Sequence, residues 1–478
     1  MAICHVLHGW GVKKCSCVCG RRGPARACRG PAAPARPRRA IMQMAASNLC
    51  DGLDGAPLCR GLLGRALTGL LAAGEARGEP LTVTGAAVVA GTENRFPTSH
   101  SGVVLLATSD GSTQSLFVKK VTAVAMAHKP WADRQRTLKY IRTELRFYQE
   151  FAPRLAAHGV PLPRLALAEG QLAALGDTEV ADPPIDEPSE EALRQCGAVL
   201  FLEPVIGFEQ ASPLPPDRAL VALAAVARFH AAAWEDAEIL SAAAKRLQRH
   251  GGAFSLSIRN PKELTKIEPN WAAFVKTFTP YAPELFAQPS VAALGSRLAK
   301  WSGYVSEHLS PKPDDTYATL IHGDFKSLNV FLPPAATAGD VSTSERQQGM
   351  LIDFASTGVG LGMSDVAMLL QHGIVPADLA DGGEERLIDG YLAALADARG
   401  SDAPTYPREV ALRHYRLGLV DYGRFVVGRF WTSASPDTFA AKADNQNVVL
   451  VNRNVEAALG FVARMDKCLA IIEAEGAI

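Results

Sequence analysis

Apolar positions along the chain fall into two regimes. Over residues 60–205 they come mainly as short runs cut by turn residues. Leu81-Thr82-Val83 and Ala86-Ala87-Val88-Val89 read as strands. Val103-Val104-Leu105-Leu106, an Asp110-Gly111 turn and Leu116-Phe117-Val118-Lys119 read as a hairpin. Two helices interrupt this region. Residues 60–80 carry Leu62, Leu63, Leu67, Leu70 and Leu71 on one side, and Asp133 to Phe151 repeats Leu138, Ile141, Leu145 and Tyr148 at helical spacing. Val199-Leu200-Phe201-Leu202-Glu203-Pro204-Val205 closes the region as an apolar strand ending in a turn. Beyond it helical periodicity prevails, with helices from Arg218 to Trp234 and at about 384–398, 408–431 and 446–474.

One stretch breaks the helical half. Leu320-Ile321-His322-Gly323-Asp324-Phe325-Lys326-Ser327-Leu328-Asn329-Val330-Phe331 is an apolar run, a polar turn and a second apolar run. After a polar insertion at 333–349 comes Met350-Leu351-Ile352-Asp353-Phe354, another apolar strand ending in Asp. Phosphoryl transfer from a nucleotide needs one carboxylate to orient or deprotonate the attacking hydroxyl. It also needs a side-chain carbonyl and a second carboxylate to hold Mg2+ against the phosphates. Asp324, Asn329 and Asp353 supply those groups in that order. The competing reading, that His322 and Asp324 only satisfy a turn, leaves Asn329 and Asp353 as separate coincidences.

HGDxxxxN between apolar strands, followed by I-D-F, resembles the catalytic loop of the aminoglycoside phosphotransferase and choline kinase superfamily. Its members phosphorylate small molecules and are distant relatives of protein kinases. Choline kinases proper usually carry Asn where this chain has Gly323. Glu144 in Arg142-Thr143-Glu144-Leu145-Arg146-Phe147-Tyr148, and the Phe229-His230-Ala231-Ala232-Ala233-Trp234 run, are most similar to the ecdysteroid-kinase-like (CHK-kinase-like) group. The resemblance covers roughly residues 85–475.

It implies an α+β, bilobal protein-kinase-like fold: an antiparallel-sheet N-lobe over residues 60–205 and a mostly helical C-lobe over 206–478. ATP with Mg2+ would sit between the lobes. Lys119 would reach the phosphates from the third strand, with Glu144 paired to it, while Lys120 points the other way into solvent. The 91–102 loop would cover the phosphates; it lacks GxGxxG, so Thr98, Ser99 and Ser101 would offer hydroxyls. Residues 199–205 become the hinge. Pro204 has no N–H there, which leaves Val205 or Ile206 to donate to adenine. Asp365 would brace the catalytic-loop backbone and His230 would be structural. Trp271, Phe274, Phe278, Tyr281 and Trp301 are expected mainly in the core, with some lining an acceptor pocket. The aromatic content of this lobe favours an apolar or cationic small-molecule alcohol as acceptor. The alternative is a nucleotide-binding pseudokinase scaffold, supported by the glycine-poor loop.

Composition bounds these readings. The 478 residues are 48% hydrophobic and 21% charged with a formal net charge of zero, so a packed core is expected and a nucleic-acid partner is not. No apolar run reaches the ~18 residues needed to cross a bilayer. Of the nine cysteines only Cys196 and Cys468 lie beyond the first 60 residues, so the globular part reads as reduced and intracellular. Residues 1–59 form a leader; its first 50 residues hold nine Lys or Arg and no Asp or Glu. Such a segment resembles a mitochondrial or plastid transit peptide and cannot build a core. Two other readings stand beside it: a metal site at Cys15-Ser16-Cys17-Val18-Cys19 with Cys28, or a native start at Met42 or Met44.

Overall fold

The computed structural model describes residues 48–51, 59–72, 81–96, 98–176, 186–256, 261–334 and 348–476. The transit-peptide, Cys15–Cys28 and Met42/Met44 readings lie outside those residues.

The first lobe is one antiparallel sheet of six strands: β1 (Val83–Val88), β2 (Asn94–Arg95), β3 (His100–Thr108), β4 (Thr113–Thr122), β5 (Leu165–Gln171) and β6 (Gly197–Leu202). Their order is β1-β3-β4-β6-β5, with β2 paired to β3 alone. The two runs expected at 81–83 and 86–89 are therefore a single strand. The loop expected at 91–102 is also shorter, because Asn94 and Arg95 pair with Ser101 and His100.

Period-two alternation sorts this sheet into two layers. Leu116 and Val118 of β4 join Val104, Leu106, Val199 and Phe201 beneath helix α1 (Arg60–Leu71). Phe117 and Val121 face the main core on the other side, with Leu138 and Ile141 of helix α2 (Trp131–Arg146). Lys119 shares the parity of Phe117 and Val121, so it enters the cleft. Lys120 shares the parity of Leu116 and Val118. It is not solvated as expected: it is 9% exposed and its Nζ donates to the Asp51 carbonyl at 2.9 Å. The segment at 48–51 closes over it, which strand periodicity alone does not reveal.

α2 runs on through a widened π-type turn, Phe147–Phe151, into Ala152–Ala157. The second lobe opens with the helix Pro216–Ala231, two residues earlier than expected, since Pro216 is preset for the first helical position. Its other long helices are Gly383–Arg399, Arg408–Phe425 and Val455–Gly476. The last starts nine residues later than the expected 446, because Asn454 Oδ1 caps it by accepting from Ala457 N–H at 2.8 Å. Trp271, Phe274 and Phe278 are core, and Phe274 stacks on Trp431 with ring centroids 3.9 Å apart. The architecture is the expected α+β, two-lobed one. Two short antiparallel ladders carry the His322–Asn329 loop: β7 (Ala318–Ile321) with β10 (Gly358–Leu361), and β8 (Val330–Phe331) with β9 (Met350–Leu351). Among the described residues no helix is long and apolar enough to cross a membrane.

A buried histidine in the helical lobe sets a pH dependence. Burial, then the charge of Arg413, pulls His414 down from 6.5 to about 4, and its Nδ1 takes a hydrogen bond from Tyr406 Oη at 2.7 Å. The unfolded chain takes up this proton near 6.5 while the folded chain resists it to about 4. Stability is therefore full above 6.5 and falls as the pH drops toward 4, by up to about 3 kcal/mol from this group. Denaturant midpoints measured across that range should decline with acid, and His414→Gln should flatten part of the slope.

Candidate active site

The His322–Asn329 loop hangs between β7 and β8 and is pinned from two sides. Gly323 sits at φ +78°, and a Cβ there would lie 2.2 Å from the Ser356 carbonyl oxygen, so only glycine passes. Asp365, in the first turn of the helix Met363–Gly373, accepts the His322 N–H at 2.6 Å and the Gly323 N–H at 2.9 Å, one on each oxygen. His230 is fully buried. Its Nε2 donates to the same carboxylate at 3.1 Å and its Nδ1 accepts from Tyr391 Oη at 2.8 Å. On the other side, His322 Nε2 donates to the Ile352 carbonyl at 2.8 Å, and its Nδ1 accepts the Asp324 N–H at 3.3 Å. A carbonyl only accepts, so His322 is the neutral Nε2–H form.

Asp365→Asn is expected to leave one of these buried N–H groups without an acceptor. That costs about 1–3 kcal/mol of stability and loosens the loop, lowering turnover more than it changes nucleotide affinity. Thermal unfolding and steady-state kinetics on the same preparation check both effects.

The loop brings three polar side chains to one place. Lys326 Nζ donates to Asp324 Oδ2 at 3.0 Å, and Asn329 Nδ2 donates to the Asp324 carbonyl at 2.7 Å and to Oδ2 at 3.2 Å. This spends the amide hydrogens of Asn329 and leaves its Oδ1 buried with no partner. Nothing in the sequence singles out Lys326. It occupies a variable position of HGDxxxxN, and only its contact with Asp324 marks it.

Asp353 follows β9 in the left-handed region, at φ 67° and ψ 62°, a conformation costing a non-glycine residue about 1–2 kcal/mol. The next ring holds the turn: Phe354 is fully buried and stacks on Phe147 with centroids 3.9 Å apart. Lys119 Nζ reaches Glu144 Oε2 at 2.5 Å and Asp353 Oδ1 at 2.7 Å. Burial pulls the Lys119 ammonium down, but the Asp353 and Glu144 charges outweigh it and the net direction is up. For Asp353, burial acts upward and is outweighed by Lys119 and then Lys326, which hold it well below the usual carboxylate range. Glu144 goes the other way: burial raises it, Lys119 lowers it, and the Asp353 charge adds to the rise. Two carboxylates thus share one ammonium, leaving a surplus of negative charge where no side chain of the three is more than 12% exposed.

That surplus and the orphaned Asn329 Oδ1 fit a Mg2+ ion, which takes few protein oxygens and completes its shell with phosphates and water. Asp353 and Asn329 are the residues that would hold it. Among the described residues no group of three or more His, Cys, Asp or Glu offers a metal site.

Asp324, Asp353, Lys119, Glu144 and Ser99 line a single cavity of about 540 Å3, and Asn329 is buried beneath it. Other expected contacts fall elsewhere. Ser101 is 3% exposed inside β3, opposite Lys119, and is not on the cavity wall. Val205 and Ile206 follow β6 and also lie off that wall, Ile206 being 67% exposed. None of Trp271, Phe274, Phe278, Tyr281 and Trp301 lines the cavity; its aromatic wall is Tyr140, Phe254, Tyr422, Phe425, Phe430 and Phe439.

Residues 103–409 match the model of the phosphotransferase enzyme family. This chain belongs to that family. The matched span takes in Lys119, Glu144, Asp324, Asn329, Asp353 and Asp365, and it ends before the aromatic wall at 422–439. The superfamily resemblance carried by HGDxxxxN thus holds, and with it the bilobal protein-kinase-like fold; the family assignment makes the chain a phosphotransferase. A comparison with curated proteins found no match.

Solved structures similar to this family member include an aminoglycoside-3'-phosphotransferase of type VIII, at 22% identity over 75% of this chain and 99% of that one, TM-score 0.32. A choline kinase from Streptococcus pneumoniae is 12% identical over 84% and 98%, TM-score 0.37. An aminoglycoside phosphotransferase from Alicyclobacillus acidocaldarius is 15% identical over 80% and 91%, TM-score 0.38. Membership of the family rests on the matched span, not on these distant likenesses.

Proposed function

We propose that the chain transfers the γ-phosphoryl group of ATP to a hydroxyl of a small molecule. The observation that carries this reading is the convergence of Lys119, Glu144, Asp324, Lys326 and Asp353 on one cavity, with Asn329 buried beneath it. Lys119 bridges Glu144 and Asp353, and Asp324, held by Lys326, stands over an Asn329 whose Oδ1 is left open. Asp324 orients the acceptor hydroxyl and takes its proton as the O–P bond forms. Lys119, fixed by Glu144, neutralises nucleotide phosphate oxygens. When bound, Mg2+ held by Asp353 and Asn329 supplies further charge neutralisation. Ser99 offers a hydroxyl to the phosphates. The N–H groups of Val205 and Ile206 make no backbone hydrogen bond among the described residues, which suits a hinge donor to adenine.

A small acceptor suits the segment after Asp353. Only the turn Phe354–Ser356 and β10 separate it from the helix at Met363, so no long substrate-docking loop intervenes. We also propose lobe limits at 60–205 and 206–478, a place near the ecdysteroid-kinase-like group, and an intracellular location, in a plastid or mitochondrion if the leader is a transit peptide. A pseudokinase scaffold is the second reading, favoured by a phosphate-covering loop with no glycine triplet.

Labelled ATP incubated with the full chain and a protein-free metabolite extract tests the proposal. A labelled small molecule, named by mass spectrometry, is the expected result. Bound ATP with no labelled product would favour the scaffold.

A further inference from the structure

The acceptor side of the cavity has a charge pattern that the catalytic groups do not use. Every carboxylate on the cavity wall belongs to the catalytic set: Glu144, Asp324 and Asp353. Elsewhere the wall carries cations only, among the described residues: Arg136, Arg429 and Lys442. Arg136 stands on α2 at the same helical face as Tyr140 and Glu144, one residue every four. Its Nη2 meets Asp133 at 2.6 Å, and Arg429 Nη1 meets Glu263 at 3.1 Å. Both of those carboxylates lie off the cavity wall, so each holds its guanidinium from behind and leaves the remaining N–H groups to the cavity face. Lys442 is exposed and makes no ion pair among the described residues.

Between these cations and the base lies an apolar path. Tyr422 is close enough to Asp324 that, after burial, the Asp324 charge is what pushes its phenol up. Phe425 follows one turn along the same helix, then Arg429 and Phe430, with Phe425 and Phe430 edge to face at 5.1 Å. Phe430 is 42% exposed, a large apolar ring left open at the outer part of the wall. From Tyr422 to Arg429 is seven residues, which at helical rise spans roughly 10 Å.

Resting on the phosphotransfer reading, we infer that the acceptor is a hydroxylated acid with an apolar body. Its hydroxyl meets Asp324, its hydrocarbon or ring lies on Tyr422, Phe425 and Phe430, and its anionic group reaches Arg429 and Lys442. The aromatic content of the lobe favours an apolar or cationic acceptor; this inference keeps the apolar body and replaces the cation with an anion. Among the described residues a cation would find no carboxylate on this wall except Glu144, Asp324 and Asp353, which already pair with Lys119 and Lys326.

The test splits a protein-free metabolite extract on an anion-exchange resin at neutral pH and assays labelled transfer from ATP into each fraction with the full chain. Transfer into the resin-bound fraction is expected, with an organic hydroxy acid as the parent of the product. Lys442→Glu, at an exposed position, and Arg429→Gln are each expected to raise KM for that acid about tenfold, with kcat and the KM for ATP nearly unchanged. Transfer confined to the unbound fraction, or variants that leave the acceptor KM where it was, would overturn the inference and leave phosphotransfer standing. No labelled product in either fraction would count against phosphotransfer itself, and the inference would fall with it.

Discussion

The Asp324→Asn protein is expected to bind ATP as the unaltered chain does and to turn over about a thousandfold more slowly. The carboxamide is nearly isosteric, so the loop stays where Asp365, His322 and Gly323 place it. What disappears is, among the described residues, the only carboxylate on the cavity wall that is not bonded to Lys119. Asn cannot take a proton, and one of its two amide orientations would aim an NH2 group at Lys326. A thousandfold loss corresponds to about 4 kcal/mol at the transition state, within what one positioned base contributes. On the proposed reading Asp324 meets the acceptor and not the nucleotide, so the loss belongs in kcat. Presteady-state transfer and ATP titration on one preparation separate the two.

Asp353→Asn is the second large effect, and it should differ in kind. Asp353 is held well below the usual carboxylate range, by charges that outweigh its burial, so it stays ionised through the neutral range. Its role in turnover should therefore show no pH dependence in the neutral range. Removing its charge leaves Lys119 with Glu144 as its one carboxylate partner among the described residues and takes the anionic oxygen away from the place that fits Mg2+. We expect turnover to fall by about a hundredfold to a thousandfold. Unlike the Asp324 variant, part of this loss should return at high Mg2+, because a weakened metal site can be refilled by mass action. Titrating Mg2+ at saturating ATP measures it. A loss that ignores Mg2+ concentration would remove Asp353 from the metal role.

These groups are legible in the sequence because each lies in a pattern that local physics enforces. The parity of β4 puts Lys119 with Phe117 and Val121, and the turn of α2 puts Glu144 opposite it. HGDxxxxN is short enough that one loop brings Asp324 and Asn329 within hydrogen-bond reach. What stays hidden depends on distant parts of the chain. Lys120 looks solvated until Asp51, 69 residues away, is laid against it. Arg136 looks like an ordinary surface charge, although its spacing of eight from Glu144 is a helical signal that could have been used. Aromatic content points to 250–310 for the acceptor wall, where most rings are core. Phe254 lies in that span, but Tyr422, Phe425 and Phe430 do not, and nothing in their own periodicity separates a cavity wall from a packed face. The late start of the last helix turns on one cap, Asn454, inside a run whose apolar content continues through it.

If this cavity passes a phosphoryl group from ATP to a hydroxyl under the control of Asp324, the decisive quantity is the rate of labelled transfer to a small acceptor. It should be measured for the full chain and for Asp324→Asn at equal nucleotide occupancy. Steady product is expected from the first and about a thousandfold less from the second. Equal rates from both proteins would contradict that role for Asp324.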